Sequence, residues 1–291
     1  MNTQANIATQ GLKTVISSCL LILLLATKLQ AAEFDHQYTS YDALLKEVVN
    51  VSENKKQTRV DYQRLAIHPE SIAKILQVFS AVTQTQYDSW ATEEKLSFLI
   101  NAYNGFTMQL IVNNWSQFKL GEASSIRDLG SLFTSAWEKK FFTLLGKKHN
   151  LDDIEHEMIR KWFKEPRIHA ALVCAAVSCP PLRDEAFVAE QLSEQLENQM
   201  ELFLADNSRN EIIIAKHRGQ AYLSSIFSWY RGDFEKGEGG FNSLYDVLNK
   251  YSEAIVKGDK DEQAQRNVLK GNDFPILFKD YDWRLNDVAN F

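Results

Sequence analysis

Apolar residues recur every three or four positions in several stretches of the chain, a spacing that predicts amphipathic helices. Two of these stretches, 42–51 and 72–82, lie near the N-terminus, and residues 58–62 between them alternate like a short strand. We interpret residues 33–89 as an N-terminal helical lobe whose apolar faces serve packing rather than chemistry.

Residues 96–115 differ from the other helical stretches because they are apolar nearly all round. Their sequence, LSFLINAYNGFTMQLIVNNW, predicts a helix of about 20 residues, roughly 30 Å long. Thr92 is its predicted N-cap, with Glu93 and Glu94 in the first turn. A helix without a polar face is expected to lie at the centre of the fold.

The remaining stretches predict hairpins and further helices. Strand and turn signals occur at 137–151 and 211–223, whereas 151–162, 189–203 and 242–256 are amphipathic. Residues 258–272 are charged and predicted to be exposed, and the aromatic stretch 280–286 is predicted to dock on the body of the protein. The whole pattern predicts a mainly helical α+β domain over residues 90–291, a single domain with a small antiparallel sheet of hairpins and a long buried central helix.

The first 32 residues have the pattern of a secretory signal peptide. Lys13 precedes an apolar run from Val15 to Ala26, and small residues follow at Ala31 and Ala32. The run is 12 residues long, whereas a membrane span needs about 20 apolar residues. We therefore expect an exported protein, periplasmic or secreted, without a stable membrane span once the signal is cleaved.

Composition narrows the class of partner. The 291 residues are 45% hydrophobic, which is enough for one large core or for one domain with an accessory lobe. The net charge of −6 argues against a nucleic-acid partner. The six tryptophans and ten tyrosines are spread along the chain, a distribution more typical of a core than of a peptide or glycan groove. The expected ligand is a small molecule or a peptide, and we expect no cofactor.

Two amides of the central helix are candidates for function. Asn101 and Asn104 are three residues apart and share a face, and Gly105 permits close approach to the backbone. The amides either point into a pocket, where they orient an imidazole or bind a substrate carbonyl, or hydrogen-bond to a neighbouring loop and fix its path. Most buried polar groups are satisfied by nearby backbone, which favours the second interpretation.

The predicted helix after residue 150 contains a histidine beside two carboxylates. Asn150 is its predicted N-cap, and His156 shares a face with Asp152 and Asp153. A carboxylate one turn before an imidazole holds it in one tautomer and raises its basicity, as for a general base. The alternative is a solvated histidine on the polar face of the helix.

Reactive side chains concentrate in the sequence RIHAALVCAAVSCPPL. Cys179 precedes Pro180, whose ring disfavours the helical conformation for the residue before it, so the thiol is predicted to lie on a bend. If residues 168–177 form a helix, His169 is about 15 Å along the axis from Cys179. His156 is therefore the better candidate for a base that activates a Cys179 nucleophile.

Two alternatives remain open for the cysteines. Once Cys19 is removed with the signal, only Cys174 and Cys179 remain, and an oxidising compartment permits a disulfide between them. A helix that ends at Val177 would bring their Cα atoms within the ~4.4 to 6.8 Å that a disulfide requires. A zinc site formed by His149, His156, His169 and Cys179 is disfavoured, because the spacing of these residues matches no paired-ligand pattern. We therefore expect no metal.

Several of these segments resemble the family called domain of unknown function 547. The likeness lies in FLINAYNGFTMQLI, LDDIEH, RIHAALVCAAVSCPPL, IFSWYRGDF and YDWRLN, with a core at about residues 90–205 and a weaker likeness to the C-terminus. The resemblance implies a small α+β domain, of a kind often exported from bacteria and joined to other modules in some plant proteins. It places motif positions on Asn101, His156, His169 and Cys179, and Cys174 also falls within it.

Two hypotheses for the function follow. The first is a thiol-dependent hydrolase or acyl transferase acting on a peptide- or amide-like substrate, with Cys179 as nucleophile and His156 as base. Its orienting or substrate-binding residues would be Asn101, Asn104 and His169. The second is a non-catalytic exported binding or interaction domain with a buried cluster of histidine, asparagine and cysteine. A buried or disulfide-bonded Cys179 favours the second hypothesis.

Overall fold

A long helix, Thr92–Asn113, runs through the middle of the protein. The computed structural model describes residues 33–215 and 218–290, so the predicted signal peptide lies outside the described residues. From His36 onward the chain forms one compact unit. The predicted fold class is confirmed, because the described residues form mainly helices and small sheets around this buried helix.

The elements of the described residues are as follows. The α-helices are α1 (Thr39–Val48), α2 (Tyr62–Ile67), α3 (Pro69–Ala81), α4 (Gln84–Ser89), α5 (Thr92–Asn113), α6 (Trp115–Lys119), α7 (Arg160–Trp162), α8 (Leu192–Leu204), α9 (Ile226–Trp229), α10 (Arg231–Phe234), α11 (Leu244–Lys250), α12 (Ser252–Val256) and α13 (Glu262–Gly271). The strands are β1 (Val49–Val51), β2 (Thr58–Val60), β3 (Phe142–Leu144), β4 (Lys147–His149), β5 (Glu211–Ala215), β6 (Arg218–Leu223) and β7 (Ile276–Phe278). A π-helix spans Asp153–Ile159. Helices of the 3-10 type span Ile126–Leu129, Pro166–Ala170, Ala189–Gln191, Glu238–Gly240 and Val288–Asn290.

The central helix α5 is buried on nearly every side, as its sequence predicts. A Cβ added at Gly105 would lie 2.8 Å from Leu76 Cδ2 of α3, so the glycine permits this close approach. Thr92 is the first helical residue and not the N-cap, because Ala91 holds that position. Neither α5 nor any other helix in the described part of the chain is long and apolar enough to cross a membrane.

The N-terminal helix is shorter than predicted. It ends at Val48, and the next three residues form β1, which pairs antiparallel with β2. The prediction of helix as far as Val51 is wrong at its end, because the β-branched Val49 and Val51 gain a strand partner at residues 58–60. The second predicted helix is confirmed as α3.

The middle of the chain forms the predicted hairpin and then a helix of unusual geometry. β3 and β4 pair antiparallel through a turn at Leu145 and Gly146, both with positive φ. Asn150 Oδ1 accepts the N–H of Asp153 at 2.7 Å, as expected of a residue at the start of a helix. The helix is a π-helix over residues 153–159, a form that is rare and frequent at functional sites.

The helix considered for residues 168–177 does not form. A short 3-10 helix is followed by irregular backbone, and Ala175 has a φ of 60°, in the left-handed region. The C-terminal segment supplies the hydrogen bonds that a helix would have made. The N–H of Val177 donates to Arg284 O at 2.8 Å, and the N–H of Asn286 donates to Ala175 O at 3.0 Å. Long-range pairing therefore replaces local structure here.

The C-terminal half packs helices against a three-stranded sheet. β5 and β6 form the predicted antiparallel hairpin, and β7 joins β6 in parallel, so this sheet is not wholly antiparallel. The helix predicted for 242–256 is interrupted at Tyr251, between α11 and α12. The prediction that 258–272 is exposed holds for most of α13 and is wrong for Gln265 and Leu269, which are buried.

The predicted docking of the aromatic C-terminal stretch is confirmed. Leu285 forms an antiparallel bridge with Ala176, and Asp287 forms a parallel bridge with Val60. The stretch therefore lies beside the segment that carries the two cysteines, and it brings Tyr281 and Trp283 next to that segment.

Candidate functional site

One pocket brings together three of the reactive residues that the sequence singled out. It has a volume of about 190 Å³, and His156, His169 and Cys174 lie in its wall. The other three predicted site residues are buried outside this lining. These are Cys179, Asn101 and Asn104.

Four aromatic side chains form one side of the pocket, called here the aromatic wall: Trp137, Trp229, Tyr281 and Trp283. Trp229 and Trp283 are stacked with ring centroids 5.7 Å apart, and Trp283 lies 4.6 Å from Tyr281 and 5.9 Å from Trp137. Trp229 is 50% exposed, so the wall is accessible to solvent. The expectation that the tryptophans belong to a core is wrong for these three.

The π-helix supplies an acidic side of the pocket, with Asp152 just before it and Glu155 within it. Burial raises the pKa of Asp152, and nearby His156 opposes the rise. The Glu155 carboxylate lies near the hydroxyls of Tyr103 and Tyr230. Burial and the Glu155 carboxylate raise the pKa of both phenols, so they remain protonated donors.

His169, which lines the pocket, is paired with the carboxylate of Asp233, which does not line it. His169 Nε2 lies 2.9 Å from Asp233 Oδ2, and the ring stacks on Tyr230 with centroids 3.9 Å apart. Burial opposes ionisation of Asp233, but hydrogen bonds from His169, Arg160 and Lys236 outweigh it and hold its pKa well below its usual range. Because the carboxylate can only accept, His169 Nε2 carries the proton and Nδ1 is the basic nitrogen.

Burial lowers the pKa of His169, against the opposite effect of its hydrogen bond to Asp233. The imidazole is therefore neutral at neutral pH, and it is oriented by an ionised carboxylate. This is the arrangement of a base with its orienting acid, on residues that are 64 positions apart in sequence.

His156 is placed differently from the base expected of the sequence. Its Nδ1 lies 3.0 Å from Arg160 Nη1, which can only donate, so Nδ1 accepts and Nε2 carries the proton. The predicted partner, Asp152, is 3.8 Å from Nε2. The ring therefore accepts at Nδ1 from Arg160 and offers its Nε2–H as a hydrogen-bond donor in the pocket wall.

The disulfide considered from the sequence is present between Cys174 and Cys179, with Cα atoms 6.2 Å apart. Cys174 is partly exposed in the pocket wall, whereas Cys179 is 1% exposed. Cys179 lies on a bend, as its proline neighbour predicts. The chain reverses between the two cysteines and does not form the helix considered there. The separation of about 15 Å between His169 and Cys179 that such a helix implies therefore does not exclude His169 as a base.

The two amides of α5 hold loops by paired hydrogen bonds. Asn101 donates to Phe187 O at 2.8 Å and accepts the N–H of Phe187 at 3.0 Å. Asn104 donates to Ala171 O and accepts the N–H of Val173, both at 2.9 Å. Asn104 thereby fixes the segment that joins His169 to Cys174, and these contacts are those of the loop-fixing interpretation.

Several residues of the site were not predicted for it, although they lie in motifs that carried the family resemblance. Asp233 and Trp229 belong to IFSWYRGDF, and Tyr281 and Trp283 belong to YDWRLN. A single sequence does not distinguish these aromatic residues from core residues, because only the tertiary structure shows that they meet at one pocket. In the described part of the chain no group of three His, Cys, Asp or Glu side chains is arranged to hold a metal ion.

Residues 87–204 match the model of a family described as Protein of unknown function, DUF547, which confirms the resemblance over this stretch. No curated protein and no solved structure is significantly similar to the chain. The matched stretch contains the acidic side of the pocket, both histidines and the disulfide, whereas Asp233 and most of the aromatic wall follow it. The pocket is therefore built from the matched stretch and from the residues after it.

Proposed function

We propose that the protein is a non-catalytic binding domain that takes a small organic cation, an amine or quaternary ammonium group, into this pocket. The observation that carries the proposal is that the aromatic wall and the carboxylates of Asp152 and Glu155 line one cavity. Aromatic faces attract cations by about 0.5–2 kcal/mol per contact, and quaternary ammonium groups are commonly bound in aromatic cages. Two carboxylates add a charge that a cation would neutralise.

Two positive side chains beside the pocket are already paired with a carboxylate, which favours a cationic ligand over an anionic one. Arg160 donates from Nε and Nη2 to the two oxygens of Asp233, at 2.6 and 3.1 Å, and Lys236 donates to the same carboxylate at 3.0 Å. The charge of Arg160 and Lys236 is thus directed at Asp233, whereas a third cation, Arg127, lies over the Trp283 ring of the aromatic wall at 5.1 Å from its centroid. Asp152 has His156 as its neighbour, and the Nδ1 of that histidine accepts from Arg160.

The test is a titration of the purified protein with choline and with its uncharged isostere 3,3-dimethylbutan-1-ol, followed by tryptophan fluorescence and calorimetry. Choline is expected to bind and to perturb the fluorescence of the aromatic wall, with the isostere at least about fivefold weaker, since a single charge contact contributes about 1 kcal/mol. Equal affinity for both compounds, or no signal from either, would sink the proposal.

A matched pair of variants assigns the charge. Asp152→Asn is expected to weaken choline binding by about fivefold to tenfold. Glu157→Gln is the control, because Glu157 lies on the same π-helix but is exposed and paired with Lys161. Equal losses in both variants would assign the effect to general charge rather than to the pocket.

The thiol-dependent hydrolase or acyl transferase is the second candidate. It is favoured because His169, which is paired with Asp233, lines the same pocket as Cys174. Such an enzyme would act only after reduction of the disulfide. The contacts favour His169 over His156 as its base and Cys174 over Cys179 as the sulfur that meets substrate. Reduced protein is expected to release p-nitrophenol from an activated ester faster than Cys174→Ser or His169→Gln does. Equal rates would remove this candidate.

Export is part of the proposal. The N-terminal sequence pattern supports a cleaved signal, and a disulfide fits an oxidising compartment. The test is the N-terminal sequence of protein recovered outside the cytoplasm. A start near Ala32 or Glu33 is expected, and an intact N-terminus on protein retained inside the cell would contradict export.

A further inference from the structure

The two sulfurs of the Cys174–Cys179 disulfide have unequal surroundings. Cys174 is partly exposed in the pocket wall, and Cys179 is buried behind it. We infer that this disulfide undergoes thiol–disulfide exchange with a thiol that enters the pocket, with Cys174 as the sulfur attacked and Cys179 as the leaving thiolate. The inference concerns the sulfur atoms alone and stands whether or not the pocket binds a cation.

Hydrogen-bond donors converge on the buried sulfur. The backbone N–H groups of Cys174 and Ala176 point at Cys179 Sγ, at 3.1 and 3.2 Å. Ala175 between them has a left-handed backbone with φ of 60°. Two N–H groups on either side of a left-handed residue form a nest, an arrangement that binds anions. A thiolate on Cys179 would occupy this nest.

A third donor lies between the two sulfurs. The Tyr281 hydroxyl is 3.3 Å from Cys179 Sγ and 3.3 Å from Cys174 Sγ. Burial raises the pKa of Tyr281, so the phenol stays protonated and donates. Because neither sulfur of a disulfide carries a proton, Tyr281 must be the donor, and its single O–H can turn to whichever sulfur develops negative charge.

These donors affect exchange through the leaving group. A thiolate leaves faster when its pKa is low, and hydrogen bonds that stabilise the reduced form make a disulfide easier to reduce. An ordinary buried disulfide in apolar surroundings lacks donors for a thiolate, and burial then opposes its reduction. At Cys179 the nest and Tyr281 supply donors for a thiolate, so they favour reduction in spite of burial.

The exchange balances as two displacements. An external thiolate attacks Cys174 Sγ, a mixed disulfide forms, the bond between Cys174 and Cys179 breaks, and its electron pair stays on Cys179 as the thiolate. A second external thiolate then attacks the external sulfur of the mixed disulfide and releases Cys174, which takes a proton from solvent. Two external thiols become one disulfide, and the protein becomes a dithiol. A small-molecule disulfide regenerates the oxidised protein by the reverse steps.

The nest does not depend on the disulfide for its shape. Its backbone is held by the C-terminal segment through Ala175 O and the N–H of Val177, and Arg209 Nη2 donates to Val177 O at 2.8 Å. The reduced protein therefore retains the donors that favour a Cys179 thiolate.

The test is the redox equilibrium of the folded protein in mixtures of reduced and oxidised glutathione, with free thiols counted by alkylation and mass spectrometry. The wild-type disulfide is expected to be reduced without unfolding. Tyr281→Phe is expected to shift the equilibrium constant toward the disulfide by at least about tenfold, as loss of one charge-assisted hydrogen bond predicts. Tyr245→Phe is the control, because Tyr245 donates to Phe274 O away from the sulfurs, and it should leave the constant unchanged.

Single-cysteine variants identify the attacked sulfur. Cys179→Ser, which keeps Cys174, is expected to form a mixed disulfide with oxidised glutathione at least about tenfold faster than Cys174→Ser does, because access limits exchange. Circular dichroism checks that each variant is folded. The inference is overturned if glutathione reduces the wild-type disulfide only when the protein unfolds, if Tyr281→Phe leaves the equilibrium unchanged, or if Cys174→Ser reacts as fast as Cys179→Ser.

Discussion

His169 Nε2 donates to Asp233 Oδ2 across 2.9 Å, and the same carboxylate accepts from Arg160 and Lys236. The pair joins the segment before the disulfide to helix α10, and it sets a neutral histidine beside an ionised acid. The contact therefore links the pocket to the stability of the fold, and that link has a measurable pH dependence.

We expect the free energy of unfolding to fall as pH drops below about 6.5, the ordinary histidine pKa. Burial lowers the pKa of His169 in the folded protein, so the unfolded chain binds more protons below that pH and acid favours unfolding. The slope from this one group is at most about 1.4 kcal/mol per pH unit. Asp233 has a lowered pKa, so its contribution is retained above about pH 4 and lost only in stronger acid.

Urea unfolding at pH 7, 6 and 5 measures this dependence. His169→Gln keeps a donor toward Asp233 but cannot titrate, so its stability should fall less steeply between pH 6.5 and 5. His68→Gln is the control, since His68 is exposed, and its profile should match the wild type. The same slope in His169→Gln and wild type would show that another group dominates acid unfolding.

Asn101→Ala and Asn104→Ala are each expected to destabilise the protein by about 2–4 kcal/mol. Each change removes a paired contact and leaves a buried backbone N–H and a carbonyl without that partner, at about 1–3 kcal/mol per group. Asn113→Ala, an exposed position on the same helix, should change stability by less than about 0.5 kcal/mol. Unchanged stability with a loss of ligand binding would favour the substrate-binding role instead.

Gly219→Ala is expected to destabilise the three-stranded sheet by about 1–3 kcal/mol through overpacking. An added Cβ would lie 2.1 Å from Val268 Cγ1 and 2.8 Å from Val268 Cβ, so helix α13 would have to move. Gly271→Ala on the same helix meets nothing within 4 Å and is the control. A thermal unfolding comparison checks both, and a Gly219→Ala midpoint equal to that of Gly271→Ala would show that α13 yields without cost.

Local patterns predicted much of the fold. The apolar stretch that became α5 and the amphipathic stretch that became α8 were predicted because burial on one or all faces repeats along the chain. The strand at 49–51 and the irregular backbone after Ala170 were not predicted, since both depend on partners far away in sequence. The spacing of apolar residues shows which face of a helix or strand is buried, but it does not show which other element packs against that face.

The site could be predicted in its residue types more than in its geometry. His156, His169 and the cysteines were identified from one compact set of motifs, and His156, His169 and Cys174 line one pocket. The partner of His169 could not be inferred, because Asp233 is 64 residues away and an acid in an aromatic motif has no distinguishing local signal. The predicted roles of Cys179 and His156 stay predictions.

Removal of the Cys174–Cys179 disulfide is expected to cost no more than about 2 kcal/mol and to leave the fold intact. The closed loop is short, and the entropic contribution of a disulfide grows with loop length. The segment keeps its backbone hydrogen bonds to the C-terminal stretch and to Arg209. The double variant Cys174→Ser/Cys179→Ser is suitable, because a serine at 179 can still accept from the nest. Its urea unfolding midpoint should match that of reduced wild type and should not respond to reductant. An unfolded double variant would mean that the disulfide, and not the C-terminal stretch, fixes the nest, and the exchange chemistry inferred for Cys179 would then lose its structural basis.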